Sequence, residues 1–202
     1  MSEKNAADKP AGSEPLDQEG NGEDGAVLAG DVEDVLRYTR GGRPGDERII
    51  LVPVDFSDSS YAALREAIKF CDLMTARLVV LHVVHDPGDM PGYYVKLMNT
   101  KSTALIHEVA ASVFNEFMVK ALESNPESKS LSNALRLMVI GLPVARIIEV
   151  ASIIDPEMVV IGSQGLTGLQ QLLLGSKAAQ LAQMCPVPIT IVKSRNTESE
   201  QS

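Results

Sequence analysis

Five short apolar runs, each separated from the next by a stretch with helical periodicity, constrain this chain more than any other feature. They are RIILVPV (48–54), ARLVVLHVV (76–84), ALRLMVI (134–140), MVVIG (158–162) and PITIV (188–192). The runs are continuous rather than alternating, so each reads as a strand buried on both faces. Between the first two lies SDSSYAALREAIKFCDLM, with Ser57 or Asp58 as N-cap and apolar residues at 61, 64, 67, 68, 71 and 74. A long amphipathic stretch follows the second strand, with Leu105, Ile106, Val109, Val113, Phe114, Phe117 and Met118 on one stripe. VARIIEVASII, with Pro143 near its first turn, and SKAAQLAQM supply two further helices. Strand–helix alternation of this kind demands a parallel sheet with helices on both faces, joined by right-handed crossovers. The fold class is α/β, a doubly wound five-stranded parallel sheet.

The regular pattern occupies residues 48–194. Residues 1–47 are polar and carry twelve Asp and Glu against five Lys and Arg, so most of the net charge of −9 sits there. This N-terminal extension is expected to be mostly disordered, because it cannot bury enough apolar surface to offset chain entropy. Within it, DVEDVLRYTR (31–40) has Val32, Val35 and Leu36 at near-helical spacing behind Asp31, and reads as a short helix. Residues 195–202 form a disordered C-terminus. The domain itself is nearly neutral and lacks the clustered basic footprint of a nucleic-acid binder. The N-terminus has neither the cationic nor the apolar region of a signal peptide, and no run reaches membrane-spanning length. Cys71 and Cys185 make no metal-type pair or disulfide framework and read as isolated thiols. Together these features imply a soluble cytoplasmic protein with no membrane insertion.

The stretch VIGSQGLTGLQQLLLGSKAAQ (160–180) places Gly162, Gly165 and Gly168 between the fourth strand and the fourth helix. In a doubly wound sheet, ligands bind beyond the carboxyl ends of the strands where the order reverses. If the strand order is 3-2-1-4-5, the end of strand one (Val54-Asp55) lies beside that of strand four (Ile161-Gly162). Gly162 and Gly165 would let backbone N–H groups approach an anion. Gly175 and Ser176 open a helix whose free N–H groups suit phosphate. Ser176 adds a donor or a ligand for phosphate-bound Mg²⁺, and Lys177 adds a cation. An ordinary strand-to-helix loop is the alternative reading of this stretch alone. It is not a Walker A loop, since GSK reverses the required order.

Four motifs in register extend this reading. VPVDFSDSSYAALREA, LHVV, GLPVARIIEVA and IGSQGLTGLQQLLLGS follow strands one to four in the order seen in the universal stress protein family, and residues 48–194 resemble that family. The last motif resembles its nucleotide signature G-x2-G-x9-G-[ST], matched by Gly162, Gly165, Gly175 and Ser176. The resemblance implies strand order 3-2-1-4-5, a homodimer and a site for ATP or another adenine nucleotide with Mg²⁺. Carried over, it sets Pro53, Val54 and Asp55 on the adenine and ribose side and Val83 against adenine. Gly162, Gly165, Gly175 and Ser176 would hold ribose and phosphates. Two positions depart from the family: Gln164, where Arg or His is frequent, and Lys177, where a small or β-branched residue is usual. Lys177 would restore the charge that Gln164 removes.

Other constellations carry less. Asp55 invites comparison with response-regulator receivers, but strand three ends in Ile140-Gly141-Leu142 and offers no acceptor aspartate. Asp55 could also simply cap the next turn. His82 and His85 stand three apart on a strand, face opposite ways and cannot chelate one ion together. His107 reads as an ordinary helix residue. No general base accompanies the glycine loop, so the sequence argues against efficient catalysis. Strand five, from Pro188 to Val192, is an uncharged edge that invites antiparallel pairing with a second copy. The alternative is that the N-terminal segment covers that edge. The expected function is a dimeric adenine-nucleotide-binding regulatory module that signals occupancy to a protein partner in stress response. The partner-facing elements would be loop 85–99, with Tyr93 and Tyr94, and the acidic tail. A slow Mg²⁺-dependent ATPase and a nucleotide-free dimeric scaffold are the alternatives.

Overall fold

The computed structural model describes residues 27–28, 35, 48–85, 100–165 and 174–194, with the side chains of the long helix from Ile106 onward. Loop residues 86–99, Gly168 and the C-terminus from 195 lie outside the described residues. The elements are β1 (Val27–Leu28), β2 (Ile49–Val54), α1 (Asp58–Met74), β3 (Arg77–Val84), α2 (Thr100–Ser124), α3 (Lys129–Ser132), β4 (Leu135–Ile140), α4 (Pro143–Ile154), β5 (Met158–Gly162), α5 (Ser176–Met184) and β6 (Ile189–Val192).

All strand pairs are parallel, and the sheet order is β1-β4-β3-β2-β5-β6. Its last five strands reproduce the order 3-2-1-4-5. β2 lies at the centre with every residue buried, which is why the run IILVPV contains no polar side chain. Odd and even positions of the strands feed two separate cores. One holds Ile50, Val52, Leu78 and Val80 under α1 and α2, and the other holds Ile49, Leu51, Val79 and Leu81 under α4 and α5.

The extension expected to be mostly disordered contributes to this structure at two points. Val27 and Leu28 pair with Leu137 and Met138 as a sixth strand. Val35 is helical, 1% exposed, and belongs to the core beneath α4 and α5. β1 thus lies at the β4 edge of the sheet. No described residue pairs with the outer side of β6. The stripe on α2 also differs from expectation: Phe114, Phe117, Met118 and Ala121 are buried, but Val109 is 55% and Val113 38% exposed, at the margin of the stripe. α3, one turn capped by the Ser128 hydroxyl accepting from Leu131 N–H at 3.2 Å, fills what reads in sequence as a plain interruption. No helix among the described residues is long and apolar enough to cross a membrane.

α1 stops where Thr75 takes the left-handed conformation (φ 52°, ψ 47°), and the Ala76 N–H closes back on the Cys71 carbonyl at 3.0 Å. Glycine is the residue that this cap geometry favours, and a β-branched residue is strained there. Thr75→Gly is therefore expected to raise the unfolding free energy by roughly 0.5–1 kcal/mol, readable as a shift in urea midpoint at unchanged slope.

Candidate functional site

The carboxyl ends of β2, β3 and β5 meet beneath a cavity of about 640 Å³. Its size falls within the range of small-molecule sites. Pro53, Val54, Asp55, Val83, Gly162, Gly165, Gly175, Ser176 and Lys177 all line it. The structure therefore gathers these nine residues around one space. Phe56, His82, His85 and Gln164 join them, together with apolar walls from Ile106, Ala110 and Val113 on α2 and from Pro143 and Ile147 on α4.

The loop after β2 is shaped by Asp55. Its Oδ1 accepts from the Ser57 N–H at 3.2 Å and from the Ser57 hydroxyl at 2.6 Å, while the Ser57 hydroxyl accepts from Ser60 N–H and caps α1. The capping role weighed for Asp55 is thus real, and it coexists with a place on the cavity wall. This tight turn holds Phe56 at φ 66°, an unusual conformation for a bulky residue. The Phe56 ring stacks on His82, with centroids 4.2 Å apart, and sits near Phe117 at 5.5 Å.

The glycines serve closeness within the protein. A Cβ on Gly162 would stand 2.5 Å from Ser59 Oγ and 2.6 Å from the Ser59 carbonyl carbon. One on Gly165 would stand 2.8 Å from Asp55 Oδ2. The space left by their missing side chains is therefore taken up by α1 and by the Asp55 carboxylate, and the glycines were not needed solely to admit an anion. Gln164 N–H donates to Ser59 Oγ (3.2 Å), Ser163 N–H to the Val192 carbonyl (2.8 Å), and Gly175 N–H to the Ser163 carbonyl (2.8 Å). These bonds pin both ends of the glycine loop.

α5 begins at Ser176 behind Gly175, with no side chain capping it. The first N–H groups of a helix lack internal partners, and the helix dipole places partial positive charge there. Here they open onto the cavity next to Lys177. Such a site accepts a ligand with a flat apolar part against the strand ends and anionic oxygens at α5.

His82 is the residue that sequence reasoning undervalued. Period two does put His82 and His85 on opposite sides of the strand, yet both reach the cavity because it wraps over the sheet's carboxyl edge. His82 Nδ1 lies 2.9 Å from the Val54 carbonyl, which can only accept, so Nδ1 carries the proton. Burial lowers the His82 pKa from 6.5, against the opposing pull of the Val54 bond and of Asp55. Elsewhere, burial and then Asp72 push the Cys71 thiol up to about 12, and Cys185 is half-buried; neither is in a disulfide. Among the described residues no group of three His, Cys, Asp or Glu side chains could hold a metal ion.

The universal stress protein family model matches residues 46–193. Universal stress protein MJ0577 of Methanocaldococcus jannaschii is 24% identical over 155 residues, covering 73% of this chain and 96% of that protein. Universal stress protein YxiE of Bacillus subtilis is 28% identical over 147 residues, covering 71% and 97%. Among solved structures, universal stress protein UspA from Lactobacillus plantarum shares the fold with a TM-score of 0.60 at 23% identity, covering 72% of this chain and 97% of that one.

Because His82 loses proton affinity on folding, the unfolded chain binds more protons below pH 6.5, and stability falls as pH drops through that value toward the lowered folded pKa. His82→Gln is expected to flatten this slope. Denaturant titrations from about pH 7 to about pH 5 would show the two proteins' unfolding free energies converging as pH falls.

Proposed function

The chain belongs to the universal stress protein family, and from that premise we propose that it is an adenine-nucleotide-binding regulatory module, holding ATP or a related nucleotide with Mg²⁺. The observation that carries the reading is the uncapped amino end of α5, which opens onto the same cavity as the apolar ends of β2 and β3. One end suits phosphate and the other a base. In this reading Pro53, Val54 and Val83 flank the base, and Asp55 serves the ribose side. Gly165, Gly175 and Ser176 hold ribose and phosphates. Gly162 seats the loop on Ser59, and Lys177 supplies the charge that Gln164 lacks. A Mg²⁺ ion bound with the nucleotide would neutralise phosphate charge, with Ser176 and Asp55 as the side chains available to it.

The proposal includes a homodimer through β6. All four residues of β6 are half-buried, and the strand forms an apolar edge that no described residue covers. Nucleotide occupancy would pass from such a dimer to a protein partner. The family membership and the absence of a membrane-length helix among the described residues are both compatible with a cytoplasmic setting.

Acid release of ligand from protein purified without added nucleotide, followed by ion-exchange chromatography, tests the reading. Near-stoichiometric ATP, ADP or AMP is expected from the unmodified protein. Gly165→Val, whose side chain would displace the Asp55 carboxylate, should release none while keeping a cooperative unfolding transition. An empty supernatant together with no thermal shift in millimolar ATP and Mg²⁺ would overturn it in favour of a nucleotide-free scaffold. Mg²⁺-dependent phosphate release that disappears in Ser176→Ala would instead establish slow hydrolysis.

A further inference from the structure

We propose that β1, with Val35 docked in the core behind it, is a built-in edge cap that guards the β4 side of the sheet against pairing with a second copy of this chain. The family match begins at residue 46, so this unit is an addition to the family domain. Three observations place it in the fold. β1 continues the sheet in parallel register, Val27 with Leu137 and Leu28 with Met138. Val35 is 1% exposed and belongs to the core beneath α4 and α5.

The third observation is topological. The connections β2 to β3 and β3 to β4 run one way across the sheet, and their helices α1 and α2 serve one core. The connections β4 to β5 and β5 to β6 run the other way, and α4 and α5 serve the other core. A single crossover hand requires this reversal. The connection from β1 to β2 runs in the same direction as β4 to β5, so the same hand calls for the face of α4 and α5. Val35 lies on that face. Its position therefore agrees with the rule that governs the other units of the domain.

What it covers explains its use. β4 reads LRLMVI, six residues with a single charge, and Leu137, Met138 and Val139 are buried. Left bare, that strand would be a long apolar edge of the kind that recruits other chains. A sheet open at both β4 and β6 could also pair heterologously, edge to opposite edge, and such contacts propagate without closing. β1 occupies the middle of that edge at Leu137 and Met138 and leaves β6 as the uncovered edge among the described residues. The cap argument stands without the proposed β6 dimer; only the expected size of the unmodified assembly rests on that reading.

The test uses the full chain carrying Val35→Asp, which places a charge in the core position. Hydrogen exchange at the Leu137–Val139 amides is expected to quicken by roughly tenfold or more, and mass photometry should show species larger than the unmodified protein forms, increasing with concentration. Val35→Ala, which removes volume without charge, should move both readings the same way by less, and it carries the test if Val35→Asp does not fold. Unchanged exchange or unchanged size in the variants would overturn the proposal. The mass of the unmodified protein reports separately on β6: a monomer would refute the dimer, while the comparison with the Val35 variants would still decide the cap.

Discussion

The close approach of Gly162 to Ser59 sets the geometry of everything above the sheet. At this point the end of β5 presses against the first turn of α1, with backbone and side-chain atoms of Ser59 where a Cβ would otherwise stand. Any side chain at 162 would have to move backbone, and overpacking of this kind costs about 1–3 kcal/mol. From this contact a short series of hydrogen bonds ties Gln164 to α1, Ser163 to the end of β6, and Gly175 to Ser163. The two ends of the glycine loop are thus tied to each other and anchored to α1 and β6. The entrance to α5, and with it the anion-accepting end of the cavity, inherits its position from that anchoring.

The opposite wall is organised by a different balance. Asp55 spends one carboxylate oxygen on the turn that starts α1, and that turn holds Phe56 in a left-handed conformation over His82. His82 in turn donates to the carboxyl end of β2. Desolvation outweighs the nearby Asp55 charge and favours the neutral ring. The result is a wall of aromatic and aliphatic surface facing a rim of backbone donors and Lys177. A cavity built this way separates an apolar compartment from an electropositive one within a single space.

Much of this was legible in the sequence, for reasons that can be localised. The five main strands and four main helices announce themselves because runs such as IILVPV and the spacing of Tyr61, Leu64, Ala67, Ile68, Cys71 and Met74 carry one unambiguous period each. Their order followed from the family resemblance. Val54, Asp55 and the glycine-loop residues were visible because strand ends and a glycine spacing mark the switch point, whereas Pro53 and Val83 came from the family resemblance. β1 was invisible because two residues have no period, and their flanks are acidic and glycine-rich. The reason for Gly162 was equally hidden, since its partner Ser59 lies more than a hundred residues away in the chain. His82 was misjudged because strand alternation describes the faces of a sheet and not its end, where both faces open onto the same cavity.

The pairing of Val27 with Leu137 also has a temporal side. Val27 and Leu28 leave the ribosome before the strand that they join, which is made more than a hundred residues later. Closing so long a loop is costly until the intervening contacts exist, so β2, β3 and β4 must assemble before β1 has an edge to join. A strand made early is thus among the last to find its place, and its arrival marks completion of that side of the sheet.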